Sequence, residues 1–208
     1  MSRRWKTLFA GSLAAATLPV AANAPALAQA PAVPAMLQGL PAGRYTVNPA
    51  QTMARFRVRY LGVNHIEGTV PGATGTITID PANLDALALD VVMPATAIAT
   101  QDGEFDDELK GPGLFDVARF PTIRFQGRKL IATGPRTARI EGEVTMHGVT
   151  RPLLLEATFA EGNQADGGAL AVNATGVVHR SEFGMTKYAP FVGDDVRISI
   201  AVSLMRGG

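Results

Sequence analysis

The run Arg55-Phe56-Arg57-Val58-Arg59-Tyr60 alternates basic and apolar residues without a break, and that period of two constrains the chain more than any other feature. Successive side chains of an extended strand point to opposite faces, so the run builds a sheet with one dry side and one wet side. The same period returns along the chain. Ile77 and Ile79 share a face, then Leu87, Leu89, Val91 and Met93, then Ile123 and Phe125. Ile140, Val144 and Met146 follow, then Leu153, Leu155, Ala157 and Phe159, then residues 170–178 and finally Val196 to Leu204. About eight to ten strands are predicted, joined by short Gly, Pro and Asn turns, with His147-Gly148 as one tight turn. A sandwich and a closed barrel both satisfy this all-β pattern.

One stretch departs from it. Asp102 to Lys110 predicts a short helix with Phe105 and Leu109 on one face, and Gly111-Pro112-Gly113 stops it. Leu114, Phe115, Val117 and Phe120 follow closely, and Pro121 resets the backbone to extended. The expectation is an apolar plug across one end of a barrel.

Residues 1–30 have the form of an export signal: a basic start at Arg3, Arg4 and Lys6, an Ala/Leu-rich core, and Ala28-Gln29-Ala30 as a cleavage site. A periplasmic location is therefore expected, with no stable membrane insertion once the signal is cut. Residues 31–43 carry three prolines and no period, as a linker or an ordered arm, and residues 44–206 are the expected domain. Removing residues 1–30 takes three basic groups and no carboxylate, so the formal charge of +1 becomes −2. A slightly acidic chain with interspersed charges gives no footprint for nucleic acid. The chain has no cysteine, which excludes a thiol nucleophile, a redox pair and a thiolate metal site.

The chain carries little that points to catalytic chemistry. His65, His147 and His179 show no metal-ligand spacing to one another or to a carboxylate, so no metal centre is expected. The acidic run Asp102, Glu104, Asp106, Asp107 and Glu108 lacks the glycine and terminal Glu of an EF-hand and reads as a solvated helix face. Ser181, Ser199 and Ser203 stand in no nucleophile elbow, and residues 68–76 lack the Lys-Ser/Thr of a phosphate loop. A binding protein rather than an enzyme is the expectation. The alternative enzyme would need Tyr60, His179, Arg180 and Glu182 gathered inside the barrel; a ligand-free stability module is the third reading.

What the sequence does offer is apolar lining. Phe56, Val58, Tyr60, Ile77, Ile79 and Leu89 are expected inward from the first strands. Phe105, Leu109, Leu114 and Phe115 come from the helix and plug; Ile123, Phe125, Phe159 and Val178 from later strands. Phe183, Met185 and Phe191 complete the set. Periodicity alone does not separate a packed core from a hydrophobic tunnel.

Four blocks resemble one family. They are Tyr45 to Ala50 with Leu61-Gly62-Val63 beyond it; Leu114 to Phe125; Gly142 to Pro152; and Arg180 to Met185 followed by Val192 to Val196. In this order, and covering residues 44–204, they are similar to the YceI-like proteins, described as lipocalin-like periplasmic polyisoprenoid-binding proteins. The resemblance implies an extended antiparallel eight-stranded lipocalin-like β-barrel with one short helix near one end. It also implies a long cavity holding an isoprenoid lipid, a polyisoprenoid or an isoprenoid quinone, with no other cofactor. Arg180 and Glu182 match the family's Arg-Ser-Asp/Glu element, read either as orienting a polar head group or as a buried structural ion pair. Tyr60 stands where the family usually has histidine. A homodimer through a strand edge or the Pro-rich arm is left open.

Overall fold

The computed structural model describes residues 35–38, 40–160 and 170–207. The expected signal segment, residues 1–30, lies outside them. Among the described residues there are eleven strands and one α-helix: β1 Gly43–Val47, β2 Met53–Tyr60, β3 Asn64–Pro71, β4 Thr74–Ile79, β5 Ala88–Pro94, β6 Ala99–Thr100, α1 Gly103–Lys110, β7 Thr122–Ala132, β8 Thr137–Met146, β9 Val149–Phe159, β10 Leu170–His179 and β11 Val192–Arg206. The extra strand beyond the predicted eight to ten is the two-residue β6, too short to carry a period.

Eight strands close an antiparallel barrel in the order β1-β4-β5-β7-β8-β9-β10-β11, sealed by β1 against β11. Tyr45 faces Arg206, and Val47 faces Leu204, at that seam. The remaining edge of the fifteen-residue β11 continues past β1 and pairs with β2, from Ala201 opposite Met53 to Val192 opposite Tyr60. β3 pairs with all of β2, and β6 pairs with β3. The wall is therefore longer than any one circuit of strands. We call the end formed by the β2–β3 turn, the β8–β9 turn and α1 the upper end, and the end where β1 begins the lower end.

The inward face follows the alternation. Ile140, Val144 and Met146 of β8 are buried, as are Leu153, Leu155, Ala157 and Phe159 of β9. In β7 the phase changes: Ile123 and Phe125 face inward, then Leu130. A register shift between Gly127 and Lys129 absorbs the odd residue, so that Leu130 rather than Lys129 enters the core. The β8–β9 connection is a two-residue turn in which His147 (φ 49°) and Gly148 (φ 74°) are both left-handed, as a type I′ hairpin requires. A Cβ on Gly148 would meet the Phe120 ring at 2.6 Å, so the plug packs directly on this turn.

The lower end starts with the arm. Leu37 and Leu40 are buried in the core cluster, and the Tyr45 hydroxyl donates to the Pro41 carbonyl at 2.7 Å. The described part of the Pro-rich segment is thus ordered against the barrel. At the upper end α1 is tied down by Asp106, whose Oδ1 accepts from the Thr100 amide at 2.6 Å and from its hydroxyl at 2.7 Å. Those two bonds, the side-chain one first, hold the Asp106 carboxyl below its ordinary pKa. The helix ends at Lys110, and the chain folds back through Phe115 N–H to Leu109 O and Val117 N–H to Lys110 O. This places Leu109 and Leu114 inside, as a plug.

Candidate functional site: an apolar lumen in two chambers

The interior is hollow along part of its length. An upper chamber of about 140 Å³ lies beneath the plug, and a lower chamber of about 80 Å³ lies toward the start of β1. Every exposed wall of both is apolar. Met93, Phe125, Leu155 and Ile200 line both chambers, so one waist separates two parts of a single lumen.

Two glycines keep the upper wall flat. A Cβ on Gly68 would stand 2.3 Å from Cζ of Phe56, its cross-strand partner, so the Phe56 ring lies against the wall instead of across the lumen. Gly142 does the same for Phe125, whose Cζ would be 2.8 Å from the added carbon. An apolar void of this kind is expensive. At roughly 24 cal/mol per Å³, the two chambers forgo on the order of 3 and 2 kcal/mol of packing, a large part of the roughly 5–15 kcal/mol that holds a domain folded. The upper chamber is similar in size to engineered apolar cavities of about 150 Å³ that stay dry and take up benzene.

Most of the residues expected at the site are brought together. Phe56, Val58, Phe105, Leu109, Leu114, Phe115, Ile123, Phe125, Val178, Arg180 and Met185 line the upper chamber. Ile77, Ile79, Leu89 and Phe159, with Phe125 again, line the lower one. Three are elsewhere. Tyr60 and Phe191 border a hollow on the outer rim of the upper end, because both lie where strands fray into turns. Phe183 is fully buried beside the lumen, in a 3-10 turn over residues 180–183 whose carbonyl meets His147 Nδ1 at 2.7 Å. Ala54, Met93, Val144, Met146, Leu153, Leu155 and Ile200 also line the lumen. Their inward phase was legible in the alternation. Ile98 was not, because it follows a 3-10 turn with no period.

Arg180 acts differently from either expectation. It is 7% exposed, and its guanidinium donates to four carbonyls: Met185 O at 2.5 Å, Lys187 O and Val192 O at 2.8 Å each, and Gly193 O at 2.9 Å. Burial lowers its pKa, and Asp194 opposes that shift. With four donors committed to backbone, the side chain is a clamp that closes the loop between β10 and β11. Glu182 is exposed on the outer face, so no Arg180–Glu182 pair forms. Tyr60, His179, Arg180 and Glu182 are therefore dispersed over rim, outer face and clamp rather than gathered in the lumen.

His179 also differs from its expected isolation. Its Nδ1 lies 3.0 Å from Asp195 Oδ1 and 3.9 Å from Asp194 Oδ2, an exposed group brought together by the irregular pairing at the start of β11. Asp194 is already engaged, accepting from the Ser181 amide at 2.8 Å and the Ser181 hydroxyl at 2.9 Å. Lys187 closes the upper chamber from the side by pairing with Glu108 of α1. That hydrogen bond is the main cause of a lowered Glu108 pKa and a raised Lys187 pKa. No helix among the described residues is long and apolar enough to cross a membrane.

The same architecture appears in solved structures. BcnA of Burkholderia cenocepacia superposes with a TM-score of 0.67 at 19% identity, covering 76% of this chain and 98% of that one. The YceI protein of Campylobacter jejuni gives 0.60 at 21%, over 70% and 87%. A polyisoprenoid-binding domain from Saccharophagus degradans, implicated in plant cell wall breakdown, gives 0.60 at 10%, over 78% and 98%. At these identities the likeness speaks to the fold. By sequence, a UPF0312 protein of Pseudomonas syringae pv. tomato is 32% identical over 137 residues, 65% of this chain and 71% of that protein. One of Pseudomonas putida strain GB-1 is 32% identical over 132 residues, 62% and 69%. The YceI-like domain model matches residues 45–204, and with the closed barrel and its apolar lumen in place, the chain belongs to the YceI-like family.

Proposed function

We propose that this protein is a periplasmic binding or carrier protein whose lumen holds the hydrocarbon chain of an isoprenoid lipid, an isoprenoid quinone being one such guest. The observation that carries the reading is the two-chambered apolar lumen, a void whose packing cost a guest would recover. Each buried methylene contributes about 0.8 kcal/mol, so a few isoprene units offset the cost of ordering guest and protein. The similar fold of the polyisoprenoid-binding domain from Saccharophagus degradans supports the same chemistry. The basic, Ala/Leu-rich residues 1–30 support export.

Solvent extraction of the purified protein followed by mass spectrometry tests the proposal: a prenylated lipid is expected in stoichiometric amount. Phe115→Asp puts a carboxylate on the chamber wall and should remove that lipid while the far-UV spectrum of a β-barrel persists. Retention of the lipid by this variant counts against the lumen as its site.

A further inference from the structure

The exposed apolar side chains are not scattered. Tyr60, Leu61, Val63, Tyr188 and Phe191 share the upper rim, while elsewhere among the described residues only Leu154, Val177 and Met205 are large, apolar and exposed. Single exposed apolar groups are ordinary, but a contiguous patch marks a surface that something covers. The two strips of this rim are joined, with Leu61 N–H donating to Phe191 O at 2.8 Å. Val63 is 81% exposed and Phe191 59%. Leu61 (φ 49°) and Tyr188 (φ 66°) also hold left-handed backbone positions that Gly or Asn would fill more cheaply.

This rim adjoins the lumen. It borders a hollow of about 840 Å³ whose walls share Ile66, Phe105, Tyr188 and Val192 with the upper chamber. We propose that the upper rim rests on a phospholipid bilayer, so that the mouth of the barrel opens onto hydrocarbon. The inference rests on the lipid-binding reading, and the guest's chemistry selects the occupant. Every methylene that crosses water on the way disfavours transfer by roughly fourfold, and a mouth seated on the bilayer avoids that passage. The rim has the composition of an interface. Tyrosine hydroxyls suit the headgroup level, with Leu61, Val63 and Phe191 reaching below it. Arg59 and His65 stand opposite each other on the two strands that carry this apolar tip, and the Arg59 guanidinium has no partner among the described residues. They face anionic headgroups, while Glu67, two residues along β3 and paired with Arg57 at 3.1 Å, and Asp102 border the same hollow and keep the contact shallow.

The absence of native cysteine makes the test site-specific. The soluble form recovered from cells is labelled with an environment-sensitive fluorophore at Val63→Cys, or at Pro135→Cys in the β7–β8 turn of the lower end. Vesicles of phosphatidylethanolamine and phosphatidylglycerol should blue-shift the label at 63 and leave the label at 135 unchanged. Adding Phe191→Asp should raise the lipid concentration for half-maximal shift by roughly tenfold. An unchanged emission at 63 overturns the proposal. So does a shift that follows protein concentration without vesicles, which would make a second copy the occupant. Lipid-loaded protein that ignores vesicles sinks the docking alone; lipid-free protein that shifts on vesicles sinks the guest reading and sustains the docking.

Discussion

At the lower end of the barrel the wall is laddered strand, with β1 locked between β4 and β11 and the arm's Leu37 and Leu40 buried against the core. At the upper end the wall is a patchwork of β2, β3, the two-residue β6, an eight-residue helix and two loops held by side chains. Among the described residues, the lower end exposes one large apolar group, Met205, and the upper end five. Ladder hydrogen bonds are local and redundant, whereas the upper end depends on a few polar contacts: Arg180 to four carbonyls, Asp106 to Thr100, Glu108 to Lys187. A laddered end gives the barrel its stability, and on the proposed function the end assembled from loops is the one that parts to admit a guest. Regions with few ladder bonds are also the ones that open first.

The sharpest break of this comparison is Arg180→Met. It leaves buried carbonyls without donors and is expected to cost about 3 kcal/mol or more in urea unfolding. Hydrogen exchange should rise in residues 180–193 and in α1 well before β1 and β4. Equal exposure of both ends would mean that the clamp serves the whole barrel.

Filling one chamber at a time has a smaller effect on stability and a larger one on the guest. Ala54 lines the upper chamber and Ala174 the lower. Ala54→Leu and Ala174→Leu each fill void and should stabilise the empty protein by about 0.5–2 kcal/mol. Ala54→Leu blocks the path and should abolish the extracted lipid, whereas Ala174→Leu should only shorten the chain found by mass spectrometry. Identical guests in both variants would show that the chambers are not filled in series.

The smallest effect is expected from acid. The pairing with Lys187 lowers the Glu108 pKa, so its contribution is present above the ordinary carboxylate range and fades as pH falls through the depressed folded value. The raised Lys187 contributes fully below its ordinary value and loses that only as pH rises through the raised one. The tie between α1 and the β10–β11 loop is therefore intact at neutral pH and loosens on acidification. Protection of the α1 amides, corrected for the intrinsic exchange rate, should fall there while the lower end stays protected, and Glu108→Gln should reduce the pH dependence to the part that the Asp106 tie to Thr100 contributes.

The alternation in Arg55 to Tyr60 and its repeats already specified which side chains face inward, because a period of two maps directly onto the two faces of a strand. The helix over Asp102 to Lys110 was equally legible, since Gly111-Pro112-Gly113 leaves it nowhere to continue. Tyr60, Phe183 and Phe191 were misplaced where the alternation ends: at a turn, a phase rule carries no information about direction. The carbonyl clamp at Arg180 was invisible, since its four partners lie five to thirteen residues away and are backbone atoms that any sequence supplies.

By itself, then, the sequence determined the all-β class, the inward apolar set and the family. Only the tertiary structure decided that the interior is hollow, that a waist divides it, and that one end is laddered and the other assembled from loops. Inwardness is a local property of the pleat. Emptiness depends on how far apart opposite walls stand, which is set by strand number, by rings folded onto Gly68 and Gly142, and by closure of β1 onto β11.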